Sequence, residues 1–238
     1  MSVGPDPARL LERALAYPGA APAGSFALGP GGLVLLGAHQ AQLLAAEPGR
    51  TALVAYGSNA APDVLRSKLG PEAEVFALAA GLPDSDVVYS AHLAAYGAVP
   101  ATLWSSPGSE LQCHVLLLGG AELASLDATE PNYERQVLAG VAPRLRSVPP
   151  PTPVWAYRSR HGALRVAGSA LAVAPIRATG RCLAATGQAG VLAHVRNRLD
   201  PGRSLFDFVA RAVGDAELRA TWTARLRADA LWPPGPRA

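Results

Sequence analysis

The chain has 238 residues, of which half are hydrophobic and 16% are charged, and its formal net charge is +3. A chain of this length and composition can bury a core without a metal or a disulfide, and it is too apolar to be disordered throughout. Its arginines are spread along the chain and only 6% of its residues are aromatic. Nucleic-acid-binding proteins usually cluster basic residues with aromatic ones, so we expect no nucleic-acid partner.

We predict neither a targeting segment nor a membrane-spanning segment. The first 18 residues mix acidic and basic side chains without an apolar stretch, which is unlike a signal peptide. The most apolar run, residues 33–46, contains His39 and Gln40 and is too short to cross a bilayer. The two cysteines do not form a disulfide framework in a chain of this length. We therefore expect a cytoplasmic protein without a membrane partner, and whether it forms a homodimer stays open.

Residues 1–50 are predicted to be an N-terminal accessory segment. Leu10, Leu11, Ala14 and Leu15 recur at helical spacing and form one apolar stripe. A linker rich in Pro, Gly and Ala follows, and the apolar residues 33–36 are predicted to form a short strand.

Residues 51–184 are predicted to form a β-rich domain. Turn signals separate its short β-type runs, among them Gly81-Leu82-Pro83-Asp84 and Ser106-Pro107-Gly108-Ser109. Helical patterns interrupt the strands only after Asn59 and at residues 121–129. Many short strands with few helices predict an α+β fold, a small mixed β-barrel with flanking helices. The predicted strands are residues 52–56, 74–77, 86–95, 101–104, 111–118, 133–138, 154–157 and 164–167.

Residues 185–238 are predicted to be a C-terminal helical extension. One helix is expected over residues 188–199, where Asp200-Pro201-Gly202 ends it. Ser204 and Asp215 are the predicted N-caps of two further helices, over residues 205–213 and 216–231.

The segment Tyr56-Gly57-Ser58-Asn59 lies between a buried-strand run and a short helical pattern. Gly57 permits backbone conformations closed to other residues and a close approach of a ligand. Ser58 or Asn59 is expected to cap the following helix, and Pro62 fits its first turn. Free backbone N–H groups at such a helix start bind carboxylates and phosphates. An ordinary strand-to-helix turn is the alternative interpretation, since these residue types are common in turns.

A second motif follows in Leu126-Asp127-Ala128-Thr129-Glu130, with Tyr133 and Arg135 just beyond it. Together, the order and spacing of the two motifs resemble the signature of the γ-glutamylcyclotransferase superfamily, which includes the AIG2-like proteins. Residues 97–103 and 113–116 look like the two central barrel strands of that family. The resemblance covers roughly residues 51–140, and the sequence departs from the family pattern at Pro131, where the family usually has Gly.

The resemblance implies an enzyme that converts a γ-glutamyl amide to 5-oxoproline and a free amine. The α-amino group of the substrate attacks its own γ-carbonyl, so no metal and no cofactor are required. The implied substrate is a small molecule with a γ-glutamyl or related carboxylate group. In this chain Glu130 would be the general acid/base, and the substrate-binding residues would be Tyr56, Gly57, Ser58, Asn59, Tyr133 and Arg135.

The residues alone leave alternatives open. Glu130 is also typical of a solvated acid at a helix end, and Glu134 is a rival acid on a strand face that we expect to meet water. Arg135 pairs with an acid, binds a substrate carboxylate or lies exposed. The five histidines are scattered without metal-ligand spacing, which gives a metal site no support. A catalytically inactive protein that binds a small ligand on the same fold is the alternative function.

Overall fold

The structure is a computed structural model that describes residues 7–145 and 151–233. In these residues seven α-helices and one short 3₁₀ helix surround a large mixed sheet. The helices are α1 Pro7–Leu15, α2 Ala38–Ala45, the 3₁₀ helix Ser58–Ala60, α3 Pro62–Leu69, α4 Gly120–Ala128, α5 Gln188–Leu199, α6 Leu205–Gly214 and α7 Ala216–Arg227. The strands are β1 Phe26–Gly29, β2 Gly32–Leu35, β3 Thr51–Ala55, β4 Val75–Tyr89, β5 Ala101–Leu118, β6 Tyr133–Val137, β7 Arg144–Leu145, β8 Val154–Ser159, β9 Arg165–Val166, β10 Ser169–Ala170, β11 Ala172–Val173, β12 Ala178–Thr179 and β13 Ala185–Thr186.

The sheet is built around β3, which lies between β5 and β8. Four of the five residues of β3 are buried, because neighbouring strands cover both its edges and other elements cover both its faces. The strand runs antiparallel to β5 and parallel to β8. Its C-terminal end therefore lies in the middle of the sheet, and the segment that follows it projects from there.

The large sheet is open, so the predicted β-barrel is wrong, whereas the α+β class is confirmed. Its main strand order is β13-β11-β4-β5-β3-β8-β6, and in the described residues the end strands β6 and β13 do not pair with each other. On β6 the side chains of Glu134 and Gln136 are exposed and hydrogen-bond to each other. Charged and polar side chains at an edge strand disfavour further strand pairing.

The two predicted turns at residues 81–84 and 106–109 lie inside the long strands β4 and β5. β4 and β5 pair as one long hairpin that is interrupted by a bulge, and the register shifts between Pro83 and Ser85. Asp84 adopts a φ of 49°, and its Oδ1 accepts a hydrogen bond of 2.9 Å from the backbone N–H of Gly108. The turn-forming residues of both strands are therefore used to bulge the hairpin, and the chain does not reverse there.

The helices of the C-terminal region are confirmed. α5 covers residues 188–199, and the side chains of Ser204 and Asp215 accept hydrogen bonds from the first turns of α6 and α7. α7 ends at Arg227, earlier than predicted, because Leu231 pairs with Ala163 through two backbone hydrogen bonds of 2.7 and 2.9 Å.

The N-terminal segment packs onto the rest of the molecule. β1 pairs with β4, and α1 packs against α6. The division into residues 1–50, 51–184 and 185–238 stays a prediction, and contacts cross both of its boundaries. Among the described helices, none is long and apolar enough to span a membrane.

Candidate active site

A cavity of about 590 Å³ opens at the C-terminal end of β3. Its volume is in the usual range for sites that bind small molecules. We call the side formed by residues 54–68 and 129–133 the motif wall, because it contains both sequence motifs. The remaining lining residues within 13–19 and 92–101 are together called the second wall. The residues that line the cavity include Arg13, Tyr17, Tyr56, Gly57, Ser58, Asn59, Lys68, His92, Glu130, Asn132 and Tyr133.

The Tyr56–Asn59 loop lines the cavity, but its local structure differs from the prediction. Residues 58–60 form the 3₁₀ helix, and the N-cap of α3 is Ala61, so neither Ser58 nor Asn59 caps α3. Gly57 has a negative φ of −118°, so a left-handed conformation does not explain the glycine. A Cβ atom at this position would lie 2.9 Å from the Tyr17 hydroxyl oxygen. Glycine at this position therefore avoids a steric clash with Tyr17 of the second wall.

Glu130 lies in the motif wall, within a closed triangle of hydrogen bonds. Its Oε1 accepts from Lys68 Nζ at 2.6 Å and from Asn59 Nδ2 at 2.9 Å. Lys68 Nζ also donates to Asn59 Oδ1 at 2.7 Å. The Glu130 side chain is 11% exposed. Asn59 Nδ2 donates to Glu130, and Asn59 Oδ1 accepts from Lys68. These two bonds fix the orientation of the Asn59 amide.

A tight turn after α4 presents Glu130 to the cavity. The backbone N–H of Tyr133 donates to the Glu130 carbonyl at 3.0 Å and closes a turn across Pro131 and Asn132. Pro131 occupies the second position of this turn, where proline is common because its fixed φ matches the φ that the turn requires. Pro131, the departure from the family pattern, is therefore compatible with a glutamate at this corner.

Several tyrosines line the cavity near Glu130, and their hydroxyl groups are neutral. Tyr133 Oη donates to the Ala101 carbonyl at 2.8 Å, and Tyr56 Oη donates to the Tyr157 carbonyl. Burial raises the pKa of Tyr17, Tyr56, Tyr96 and Tyr133, and the nearby negative charge of Glu130 raises each of them further. These hydroxyls therefore stay protonated and can hydrogen-bond a ligand without adding charge.

Arg135 lies behind the motif wall, and it is not among the residues that line the cavity. Its guanidinium donates two hydrogen bonds to Asp127, at 2.9 and 3.0 Å, and Tyr157 Oη donates a third at 2.6 Å. Burial acts to raise the pKa of Asp127, but the bonds from Arg135 and Tyr157 outweigh it and lower that pKa. This cluster joins the end of α4 to β6 and β8 and so supports the turn that carries Glu130.

The two motifs do not contain all the residues that complete the cavity. Lys68 is the only lysine of the chain and lies on the helix after the first motif, which is a signal that could have been used. Tyr17, Arg13 and His92 belong to no motif. In the described residues no group of three His, Cys, Asp or Glu side chains could hold a metal ion.

Comparison with known proteins finds similarity among solved structures only. No family model and no curated protein matches the sequence. A solution structure from Arabidopsis thaliana is 25% identical over 49% of this chain and 72% of that chain, with a TM-score of 0.38. A human protein described as uncharacterized is 17% identical over 80% of this chain and 92% of that chain, with a TM-score of 0.40.

A third structure is 16% identical over 79% of this chain and 92% of its own, with a TM-score of 0.39. It is a γ-glutamyl cyclotransferase. The predicted resemblance is confirmed in one respect: a γ-glutamyl cyclotransferase is among the solved structures that are similar to the chain. TM-scores near 0.4 say nothing about activity.

Proposed function

We propose that the protein is a γ-glutamylcyclotransferase-like enzyme that converts a small γ-glutamyl amide into 5-oxoproline and a free amine. The observation that carries this proposal is the position of Glu130, whose carboxylate is held at the cavity by Lys68 and Asn59.

The reaction needs proton transfer and no enzyme nucleophile. The α-amino nitrogen of the substrate attacks the γ-carbonyl carbon, which forms the new C–N bond of the five-membered ring. The attacking nitrogen must lose a proton, and the leaving amine must gain one as its C–N bond breaks. A single carboxylate that accepts the first proton and donates it to the leaving nitrogen can perform both steps.

Glu130 has one oxygen that is free for this task. Oε1 already accepts two hydrogen bonds, and Oε2 accepts none from the described residues. Lys68 and Asn59 thereby hold the carboxylate so that Oε2 is the oxygen that acts on the substrate. General acid/base catalysis of this kind contributes about 10²–10⁴-fold to the rate.

The Tyr56–Asn59 loop supplies the remaining part of the site. The N–H groups of Ser58 and Asn59 begin the 3₁₀ helix, so no preceding turn accepts their hydrogen bonds. Bonds from such groups to a charged oxygen are worth about 1.5–3 kcal/mol each. We assign the carboxylate of the γ-glutamyl group to this loop and place Tyr133 beside the acyl chain. Arg135 supports the turn from behind and contacts no substrate.

The test is the variant Glu130→Gln, with Glu134→Gln as its matched control. Glu134 is an exposed acid four residues further along and is outside the cavity. Release of 5-oxoproline from a γ-glutamyl amide should fall at least about a hundredfold in Glu130→Gln, while Glu134→Gln stays near the wild type. Full activity of folded Glu130→Gln would refute the assignment.

A second candidate function is a binding protein without turnover. The observation that favours it is the ion pair of Glu130 with Lys68, in which a cation of the protein itself neutralises the carboxylate. This function predicts that 5-oxoproline or a γ-glutamyl compound raises the melting temperature while no product forms. Product formation by the wild-type protein would exclude it.

A further inference from the structure

His92 is a buried histidine of the second wall, in the connection between β4 and β5. It is only 2% exposed, yet it lines the cavity. Its ring packs against the ring of His161, at a centroid distance of 4.6 Å, and meets the ring of Tyr133 edge-on at 5.7 Å. These contacts fix the plane of the imidazole.

A chain of hydrogen bonds holds one nitrogen of this ring. His161 N donates to Ser159 Oγ at 3.0 Å, and Ser159 Oγ lies 2.6 Å from Ser90 Oγ. Ser90 Oγ donates to the Gly162 carbonyl at 3.2 Å and lies 2.7 Å from His92 Nδ1. With the Ser90 proton directed to that carbonyl, both Ser159 and His92 Nδ1 donate to Ser90 Oγ. His92 then carries its proton on Nδ1, and its Nε2 has a free lone pair.

The Nε2 atom of His92 opens to the cavity. In the described residues the fully buried side-chain polar atoms without a partner are His161 Nδ1 and Gln188 Oε1. His92 Nε2 has no hydrogen-bond partner in the described residues either, yet it is not among the fully buried atoms. It is therefore accessible from the cavity that His92 lines. Burial, together with the neighbouring His161, lowers the pKa of His92 to about 3, so the ring is neutral at physiological pH.

We propose that His92 is a specificity-determining residue whose Nε2 accepts a hydrogen bond from the amino group of the substrate. This inference rests on the proposed function, since it assigns the amino group of a γ-glutamyl compound to the second wall. A neutral acceptor suits an N–H donor and offers nothing to a substrate without that group. The site would thus select γ-glutamyl over glutaryl compounds, and only the former can cyclise.

The test measures binding and therefore does not depend on turnover. Its two probes are γ-glutamyl methylamide and the analogue that lacks the amino group, N-methylglutaramic acid, and both are titrated into the full chain by calorimetry in the Glu130→Gln background. We expect His92→Asn, whose shorter side chain reaches Ser90 but not the cavity, to lose about ten- to a hundredfold of the preference for the amino compound. His92→Gln keeps an acceptor near the position of Nε2 and should retain part of it. His194→Gln, on α5, is the matched control.

An unchanged preference in folded His92→Asn would overturn the proposal, as would the absence of any preference in the parent protein. Nitrogen NMR of the His92 ring gives a second check that needs no variant. The proposal predicts a protonated Nδ1 and an unprotonated Nε2, and the opposite tautomer contradicts it. If discrimination depends on His92 but the wild-type protein forms no 5-oxoproline, the proposed function fails and the assignment of His92 stands.

Discussion

The two walls of the cavity differ in how the sequence encodes them. The motif wall comes from two short segments in which the functional residues lie close together, at residues 56–68 and 129–133. The second wall depends on contacts between distant parts of the chain, such as the 2.8 Å hydrogen bond from Ala101 N to Tyr17 Oη. The difference teaches that short motifs identify the residues of the motif wall, although tertiary contacts of Asn59 and Lys68 with Glu130 bring its two segments together, whereas the residues of the second wall belong to no motif.

Replacing Lys68 tests whether the motif wall works as a unit. Lys68→Met removes the donor that holds Glu130 Oε1 and Asn59 Oδ1, so the carboxylate loses its fixed position. Misplacement of a catalytic group by about 1 Å can reduce the rate about a hundredfold, and we expect kcat to fall roughly ten- to a hundredfold. Steady-state assays of 5-oxoproline release measure this.

Lys68→Arg is the matched variant for that experiment. It keeps a positive charge and N–H donors at the same position, and it should recover part of the lost kcat. If Lys68→Met and Lys68→Arg both retain wild-type kcat, Lys68 does not position Glu130.

The pair Gly57 and Tyr17 tests the contact between the two walls. Gly57→Ala places a Cβ 2.9 Å from Tyr17 Oη and should reduce the free energy of unfolding by about 1–3 kcal/mol. Tyr17→Phe removes that oxygen and leaves the buried N–H of Ala101 without its acceptor, at a cost of about 1–3 kcal/mol. Because the clash disappears when both changes are present, the double variant should be more stable than the sum of the single effects predicts. Strict additivity in denaturant unfolding would contradict the close approach.

Asp127→Asn tests the support behind the motif wall, where we expect the smallest effect. The pKa of Asp127 is lower in the folded protein than in the unfolded chain, where it is about 3.9. Its pairing with Arg135 therefore stabilises the fold above the unfolded pKa, and this contribution is lost as the pH falls through the folded pKa. The pair is partly exposed, so we expect about 1 kcal/mol or less at neutral pH. In Asp127→Asn the melting temperature should be lower at pH 7 and depend less on acid than in the wild type.

Much of the local structure could be predicted from the sequence. The α5 helix and the two caps Ser204 and Asp215 follow from apolar spacing and capping chemistry, which act over a few residues. The end of α7 could not be predicted in this way, because it depends on the pairing of Leu231 with the distant Ala163.

The predictions that the structure contradicts have a common physical cause, which is the pairing of strands that are distant in the sequence. Pro83-Asp84 and Pro107-Gly108 read as turns in isolation, but the pairing of β4 with β5 converts them into one bulge. Similarly, neither motif includes Tyr17 or His92, since their positions at the cavity depend on contacts with residues far along the chain. Glu130 and the Tyr56–Asn59 loop were found because the family resemblance preserves their order and spacing.

The most direct test of the central claim is the identity of the product formed in water enriched in ¹⁸O. A γ-glutamyl amide is incubated with the full chain, and the acyl product is analysed by mass spectrometry. We predict 5-oxoproline without incorporated ¹⁸O, because the amine of the substrate and not water attacks the γ-carbonyl. Glutamate carrying ¹⁸O, or no product at all, would contradict the account.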